Sequence, residues 1–245
     1  MFLAAMLAGA INAVAGGGTL ISFPVMTALG IPPVAANVTN SVALCPGFIG
    51  GIWAQRGDLS GQRRLLVVLV PLAAAGGVVG GALLLASGDR VFRAIVPFLI
   101  LSASVLLSVQ DKVRAWMLSR LGRGALPSSH AARAALPVAL AAVYGGYFGA
   151  GLGVILLAVL GVFIADSFTR LNALKQALAF GANLAAAIYF SASGHVVWHV
   201  ALVMAIGALI GGSIGGRFAS RANPQSLRRV VVMLGLVVGV VYLVK

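Results

Sequence analysis

Apolar runs of about 20 residues dominate the chain, and each is long enough to cross the hydrocarbon core of a bilayer as one helix. They fall near 37–55, 65–87, 91–109, 169–191, 196–219 and 226–244. Two further apolar stretches, 2–29 and 133–165, are interrupted by glycine clusters, GGG at 16–18 and GAGLG at 149–153. Only 9% of the 245 residues are charged, whereas a soluble domain carries about 25%. That leaves too little polar surface to face water. The sequence predicts an all-α, polytopic membrane protein.

Charge sets the orientation and narrows the function. There are 17 Lys and Arg against 4 acids, a formal net charge of +13. In a water-soluble chain that excess would suggest nucleic acid. Here the basic residues occupy short loops, where cytoplasmic positive charge orients a membrane protein, and no basic patch is interleaved with stacking aromatics. Nucleic acid is therefore not expected as a partner. The acids, Asp58, Asp89, Asp111 and Asp166, all sit at loop edges. A cation carrier usually needs carboxylates inside its segments, so their placement disfavours one. The single cysteine, Cys45, rules out an intramolecular disulfide. The start, MFLAAMLAGAINAVA, lacks a positive n-region and is not read as a cleaved signal.

The chain repeats itself at an offset of 135. AGGG at 15–18 falls on AGLG at 150–153, Asn37 on Asn172, and Arg93 on Arg228. Gly76, Gly77, Gly80 and Gly81 fall on Gly211, Gly212, Gly215 and Gly216. This divides the chain into a first membrane repeat (1–109), a basic cytoplasmic connector (110–132) and a second membrane repeat (133–245). The connector reads as a basic amphipathic stretch on the membrane surface. If the two glycine-broken stretches are re-entrant, three basic clusters share one face. These are Arg56, Arg63 and Arg64; then Lys112, Arg114, Arg120, Arg123 and Arg133; then Arg217, Arg221, Arg228 and Arg229. Each half then has three spanning helices plus one broken helix, and the repeats are inverted. If the broken stretches cross, the second and third clusters lie on opposite faces.

Glycine costs a helix about 1 kcal/mol relative to alanine and proline about 3, so the AGGGTLISFP break at 15–24 calls for a reason. Inverted repeats with discontinuous helices place half-helix ends near the bilayer midplane, where substrate binds. Irregular backbone at that depth is tolerated only when buried in protein or lining a cavity. Glycine there exposes N–H groups able to hold an anion. IPPVAANVTNSV (31–42) supplies Asn37, Thr39, Asn40 and Ser41, and DSFTRLNALKQA (166–177) supplies Asn172, Lys175 and Gln176. Two readings stand for these clusters: helix capping and substrate contact. Two also stand for Lys175: snorkelling to a nearby interface and the fixed charge of an anion site. The GGxxGG pairs read as close helix packing. Trp53, Trp116 and Trp198 read as interfacial anchors, and His195 and His199 as loop residues. SASGH (191–195) puts serine beside histidine but without the facing geometry of a nucleophile and its base, and no metal-ligand motif occurs. No enzyme, metal or cofactor is expected.

GGGT-L-I-x-F-P followed by P-x-x-A-x-x-T-N in the first half, with YFGAGLG (147–153) and LNALKQALAFGAN (171–183) in the second, resembles the TauE/SafE sulfite-exporter family of the toluene-sulfonate uptake permease group. The similarity spans nearly the whole chain. It implies a secondary carrier of the bacterial inner membrane moving small sulfur-containing anions such as sulfite and organosulfonates. The expected site combines Gly16, Gly17, Gly18, Gly151 and Gly153 as backbone donors. Asn37, Thr39, Asn40, Asn172 and Gln176 serve as side-chain donors, and Lys175 as the charge. The expected partners are the anion and the lipid bilayer, with a homodimer compatible. A carrier or channel for another small anion, and a non-transporting membrane scaffold, are the alternatives.

Overall fold

The computed structural model describes residues 1–14, 17–121, 131–218 and 224–244. Those residues form ten α-helices: α1 Phe2–Val14, α2 Thr19–Ala28, α3 Pro33–Ala54, α4 Arg63–Ser108, α5 Gln110–Leu121, α6 Ala131–Tyr147, α7 Leu152–Phe163, α8 Phe168–Ser191, α9 Trp198–Phe218 and α10 Pro224–Val244. No strand occurs among them. Of these, α4 and α9 are long and apolar enough to cross a membrane on their own.

Local chemistry explains the boundaries. Pro33 opens α3, where its missing N–H costs nothing and its fixed φ suits the first turn. Val34 N–H, left over at that start, donates to Asp89 Oδ1 at 2.9 Å. Ser167 caps α8 by accepting from Arg170 N–H, as a serine N-cap does. The segments expected separately at 65–87 and 91–109 follow one another without a loop. Gly88 alone, at φ +67° and ψ 173°, turns the chain inside α4.

The connector also differs from the sequence reading in part. Its first stretch is helix α5, which packs on α7 at the end of the bundle. Val113 and Trp116 pack against the buried core there, and the Arg114 guanidinium lies 4.7 Å above the Phe168 ring. Trp116 is thus a packing residue, whereas Trp53 and Trp198 are exposed. Residues 122–130 lie outside the described residues.

The helices interlock across the chain. The broadest packing pairs α1 with α9 and α4 with α6, followed by α4 with α8 and α3 with α9. Apolar side chains gain nothing by leaving lipid, so such contacts depend on backbones approaching closely over small residues. The GGxxGG pairs provide that. A Cβ on Gly76 would strike the Ala139 carbonyl oxygen, and one on Gly80 that of Val143. On the other pair, Gly211 lies against the Met6 carbonyl and Gly215 against that of Ala10. The outer surface carries Val67, Leu83, Phe98, Leu140, Ile188, Leu202, Met233 and Val237, all exposed, as a lipid-facing surface would.

Two polar clusters mark opposite ends of the bundle. Gln62 Nε2 donates to Asp166 Oδ2 at 3.1 Å, and Asn172 Nδ2 to Gln55 Oε1 at 2.8 Å. These join the end of α3 to the start of α8. Nearer the other end of α3, about 24 Å from Gln55 by helical rise, Val197 N–H donates to Thr39 Oγ1 at 3.0 Å.

Candidate functional site

The first break turns between α1 and α2. Gly17 N–H donates to Asn12 Oδ1 at 3.3 Å, so a side chain from α1 already occupies this donor. Gly17 is absent from the positive-φ glycines, and Gly18 is right-handed helical at φ −55° and ψ −32°. Glycine is needed at 18 for proximity: a Cβ would strike the Ala8 carbonyl. Around this turn Ser22 Oγ donates to Asn40 Oδ1 at 2.5 Å, and Asn40 Nδ2 to Thr19 Oγ1 at 3.3 Å. Thr19 thereby keeps its own hydroxyl proton free to donate.

The second break does use left-handed backbone. Gly149 and Gly151 take φ +80° and +77°, a region open to glycine and costly to residues bearing a Cβ. Tyr144 Oη donates to the Ala150 carbonyl at 2.6 Å and holds the turn against α6. With Gly151 as its N-cap, α7 starts at Leu152. The amides of Gly151 and Gly153 make no hydrogen bond among the described residues, and the positive end of the helix dipole adds to them.

Lys175 of α8 meets this terminus. A Cβ built on Gly153 would sit 3.9 Å from Lys175 Nζ. The ammonium donates once, to Asn172 Oδ1 at 2.8 Å. No carboxylate answers it. Asp166 pairs with Arg170 at 2.8 Å, Asp89 caps α3, and neither they nor Asp58 and Asp111 line the space beside Lys175. Gln176 lines it, is only 9% exposed, and has no hydrogen-bond partner among the described residues.

These groups enclose a cavity of about 50 Å³ between the two breaks, room for a few waters or one small ion. Of the residues expected from sequence, Gly17, Asn40, Gly151, Gly153, Lys175 and Gln176 line it together. The others lie elsewhere. Gly18 packs on α1; Asn37 donates to the Tyr147 carbonyl at 2.9 Å; Thr39 accepts from Val197; Asn172 sits behind Lys175, bridging it to Gln55. Gly16 lies outside the described residues.

Sequence reasoning passed over Asn12, Thr19 and Asn183, which also line the cavity together with Ser41 of the polar cluster in α3, with Phe48 and Phe148 as apolar walls. Asn12 and Asn183 carried a usable signal, since each is a polar residue inside an otherwise apolar run. Asn183 Nδ2 donates to the Ser41 carbonyl at 3.1 Å, tying α8 to α3 across the site.

An all-helical bundle with an apolar exterior and a small, polar, cation-bearing cavity between broken helices has the make-up of a membrane transporter. The sequence agrees. The family profile "Sulfite exporter TauE/SafE" matches residues 1–242, and the chain belongs to that family. Among similar proteins is a probable membrane transporter protein, ORF9, of a Sinorhizobium species, 29% identical over 98% of this chain and 90% of its own length. A probable membrane transporter protein of Haemophilus influenzae is 26% identical over 96% and 89%. The probable membrane transporter protein YfcA of Escherichia coli K12 is 25% identical over 97% and 86%. No solved structure gives a significant match.

Proposed function

We propose that this transporter is a multi-pass secondary carrier of the bacterial inner membrane that exports small sulfur-containing anions, such as sulfite and organosulfonates. The observation that carries the reading is Lys175, a cation beside the positive end of α7 in a cavity without a carboxylate. Two positive elements facing each other at low dielectric repel, and an anion between them relieves both. Gln176, Thr19 and the Gly151 and Gly153 amides would donate to its oxygens. Flux of radiolabelled sulfite into proteoliposomes tests the substrate. Uptake above that of empty liposomes, blocked by excess unlabelled sulfite, is expected. Flux equal to the empty control would overturn the assignment.

The architecture we infer is a pair of inverted repeats, 1–109 and 133–245, whose broken helices enter and leave on the same side. Three features support it. The starts of α3 and α8, at Pro33 and Phe168, lie 135 residues apart, as do those of α4 and α9, at Arg63 and Trp198. The Gly76–Ala139 and Gly80–Val143 contacts mirror Gly211–Met6 and Gly215–Ala10. The Gln62–Asp166 bond joins two loops that opposite faces would hold apart if every apolar stretch crossed. Cysteines at Ser60 and His195 in a Cys45→Ala background should therefore react with impermeant maleimide from opposite faces. Labelling of both from one face contradicts re-entry.

Gly153 reports on the site more cleanly than the first break. A methyl there has ordinary van der Waals room, 3.7–3.9 Å from the Lys175 side chain, and requires no change of backbone conformation. Gly153→Ala should fold normally and weaken anion binding by tenfold or more, about 1.4 kcal/mol. Titration calorimetry with sulfite reads this, and unchanged affinity would place the anion away from the start of α7.

A further inference from the structure

The charges around the cavity determine more than the sign of the ligand. Lys175 supplies one full positive charge, and the N-terminus of α7 adds about half a charge. Every other lining side chain is neutral: Asn12, Thr19, Asn40, Ser41, Gln176 and Asn183 are the polar ones. The titratable groups on the packed elements add nothing of opposite sense. The Tyr144 hydroxyl on α6 is engaged with the Ala150 carbonyl, Cys45 is buried on α3, and Asp111, Lys112 and Arg114 of α5 and Arg56 and Asp58 beside the start of α8 do not line the cavity. Asp166 and Arg170, near the start of α8, neutralise each other.

Resting on the assignment of sulfur anions to this site, we infer that the transported species is the monoanion: hydrogen sulfite or a sulfonate, and not the sulfite or sulfate dianion. A monoanion pairs one for one with Lys175, the one full charge that lines the cavity, and the partial charges of the free α7 N–H groups then act on its oxygens as hydrogen-bond donors. A dianion leaves excess negative charge inside the bundle, and a buried charge without full compensation is strongly disfavoured. The available donors suit such a head. Lys175 Nζ has two protons left after Asn172. With Gln176, Thr19 and two backbone amides, they can serve three oxygens of one tetrahedral head. Among the described residues no second cation or guanidinium lines the cavity for a further charge. Carrying a monoanion also moves one proton per hydrogen sulfite without any protein carboxylate, because the proton rides on the substrate.

Methanesulfonate and sulfate separate charge from shape, since both are tetrahedral and of similar size. The first is a monoanion and the second a dianion throughout pH 6 to 8.5, and sulfite itself changes from monoanion to dianion across that window. Detergent-purified wild-type protein is melted with each anion at both pH values and fixed ionic strength. A ligand that binds only the folded state stabilises it by RT ln(1 + [L]/Kd), so the melting shift at a fixed concentration ranks the affinities. Methanesulfonate is the reference at each pH, so any change in the charge of Lys175 itself cancels in the ratio of the two affinities. Relative to methanesulfonate, sulfite should bind about tenfold or more weaker at the higher pH, and sulfate at least about 100-fold weaker at both, as an uncompensated buried charge requires. Sulfate binding as well as methanesulfonate would overturn the inference. So would sulfite affinity that is constant across pH, or a fall that methanesulfonate shares, since that would assign the pH effect to the protein. If none of the three anions shifts the melt, the site's assignment to sulfur anions fails, and this inference fails with it.

Discussion

Lys175→Gln should produce a protein that folds, melts no lower than wild type without anion, and binds sulfite about 10 to 150 times more weakly. The weakening is the loss of a charge-assisted hydrogen bond, about 1.5–3 kcal/mol. The amide at 175 can still donate to Asn172 Oδ1, so the Lys175–Asn172–Gln55 chain keeps its geometry. Stability should not suffer, because a lysine inside an apolar helix costs about 2.5–3.5 kcal/mol on insertion scales and this one has no counter-charge. A structural lysine would give the reverse pattern: lower melting and unchanged affinity. Sulfite titration together with a melting curve distinguishes the two, and retained affinity would return Lys175 to an interfacial role.

Gly80→Val should fail to assemble. The substituted Cβ would strike the Val143 carbonyl and approach the Tyr147 amide at 2.8 Å. Both are backbone atoms, which a side-chain shift cannot clear. Overpacking of this kind costs about 1–3 kcal/mol even where some relaxation is available. Here it wedges α4 from α6 just before the second break, so the site would be lost with the packing. Gly57→Ala is the control, because nothing lies within 4 Å of its Cβ and its φ is ordinary. Size-exclusion profiles should show aggregated or poorly recovered Gly80→Val beside monodisperse Gly57→Ala. A monodisperse Gly80→Val that melts with wild type would contradict the packing account.

The fold was legible where composition and period speak directly. Apolar runs gave the helices of the second half to within a few residues, because lipid demands long uninterrupted apolar stretches. Gly88 was less visible: a single glycine at positive φ replaced the loop that the pattern around Asp89 and Arg90 suggested. In α5 the basic neighbours mark a surface stretch, and only its docking on α7 shows that Val113 and Trp116 pack half-buried against the core.

The site was half legible. Lys175, Gln176 and the glycine breaks stand out chemically and line one cavity. Thr39 looks the same in sequence but faces away, because a helix turns 100° per residue; Asn37 shares the face of Asn40 and Ser41 but lies one turn nearer the start of α3, where it donates to the Tyr147 carbonyl. The two breaks also differ in a way their shared glycines conceal. Gly17 donates to Asn12, whereas the Gly151 and Gly153 amides stand free beside Lys175. Gly17 and Gly18 are engaged with α1, and the AGLG motif presents the donors.

The central claim is that an anion sits between the start of α7 and Lys175. Selenite, the heavier isologue of sulfite, makes it directly measurable by anomalous diffraction from crystals soaked in that anion. The account predicts one selenium peak within hydrogen-bonding reach, through oxygen, of Lys175 Nζ and the Gly153 amide. A peak at the exposed Arg90 and Arg93 instead, with the cavity between the breaks empty, would contradict it.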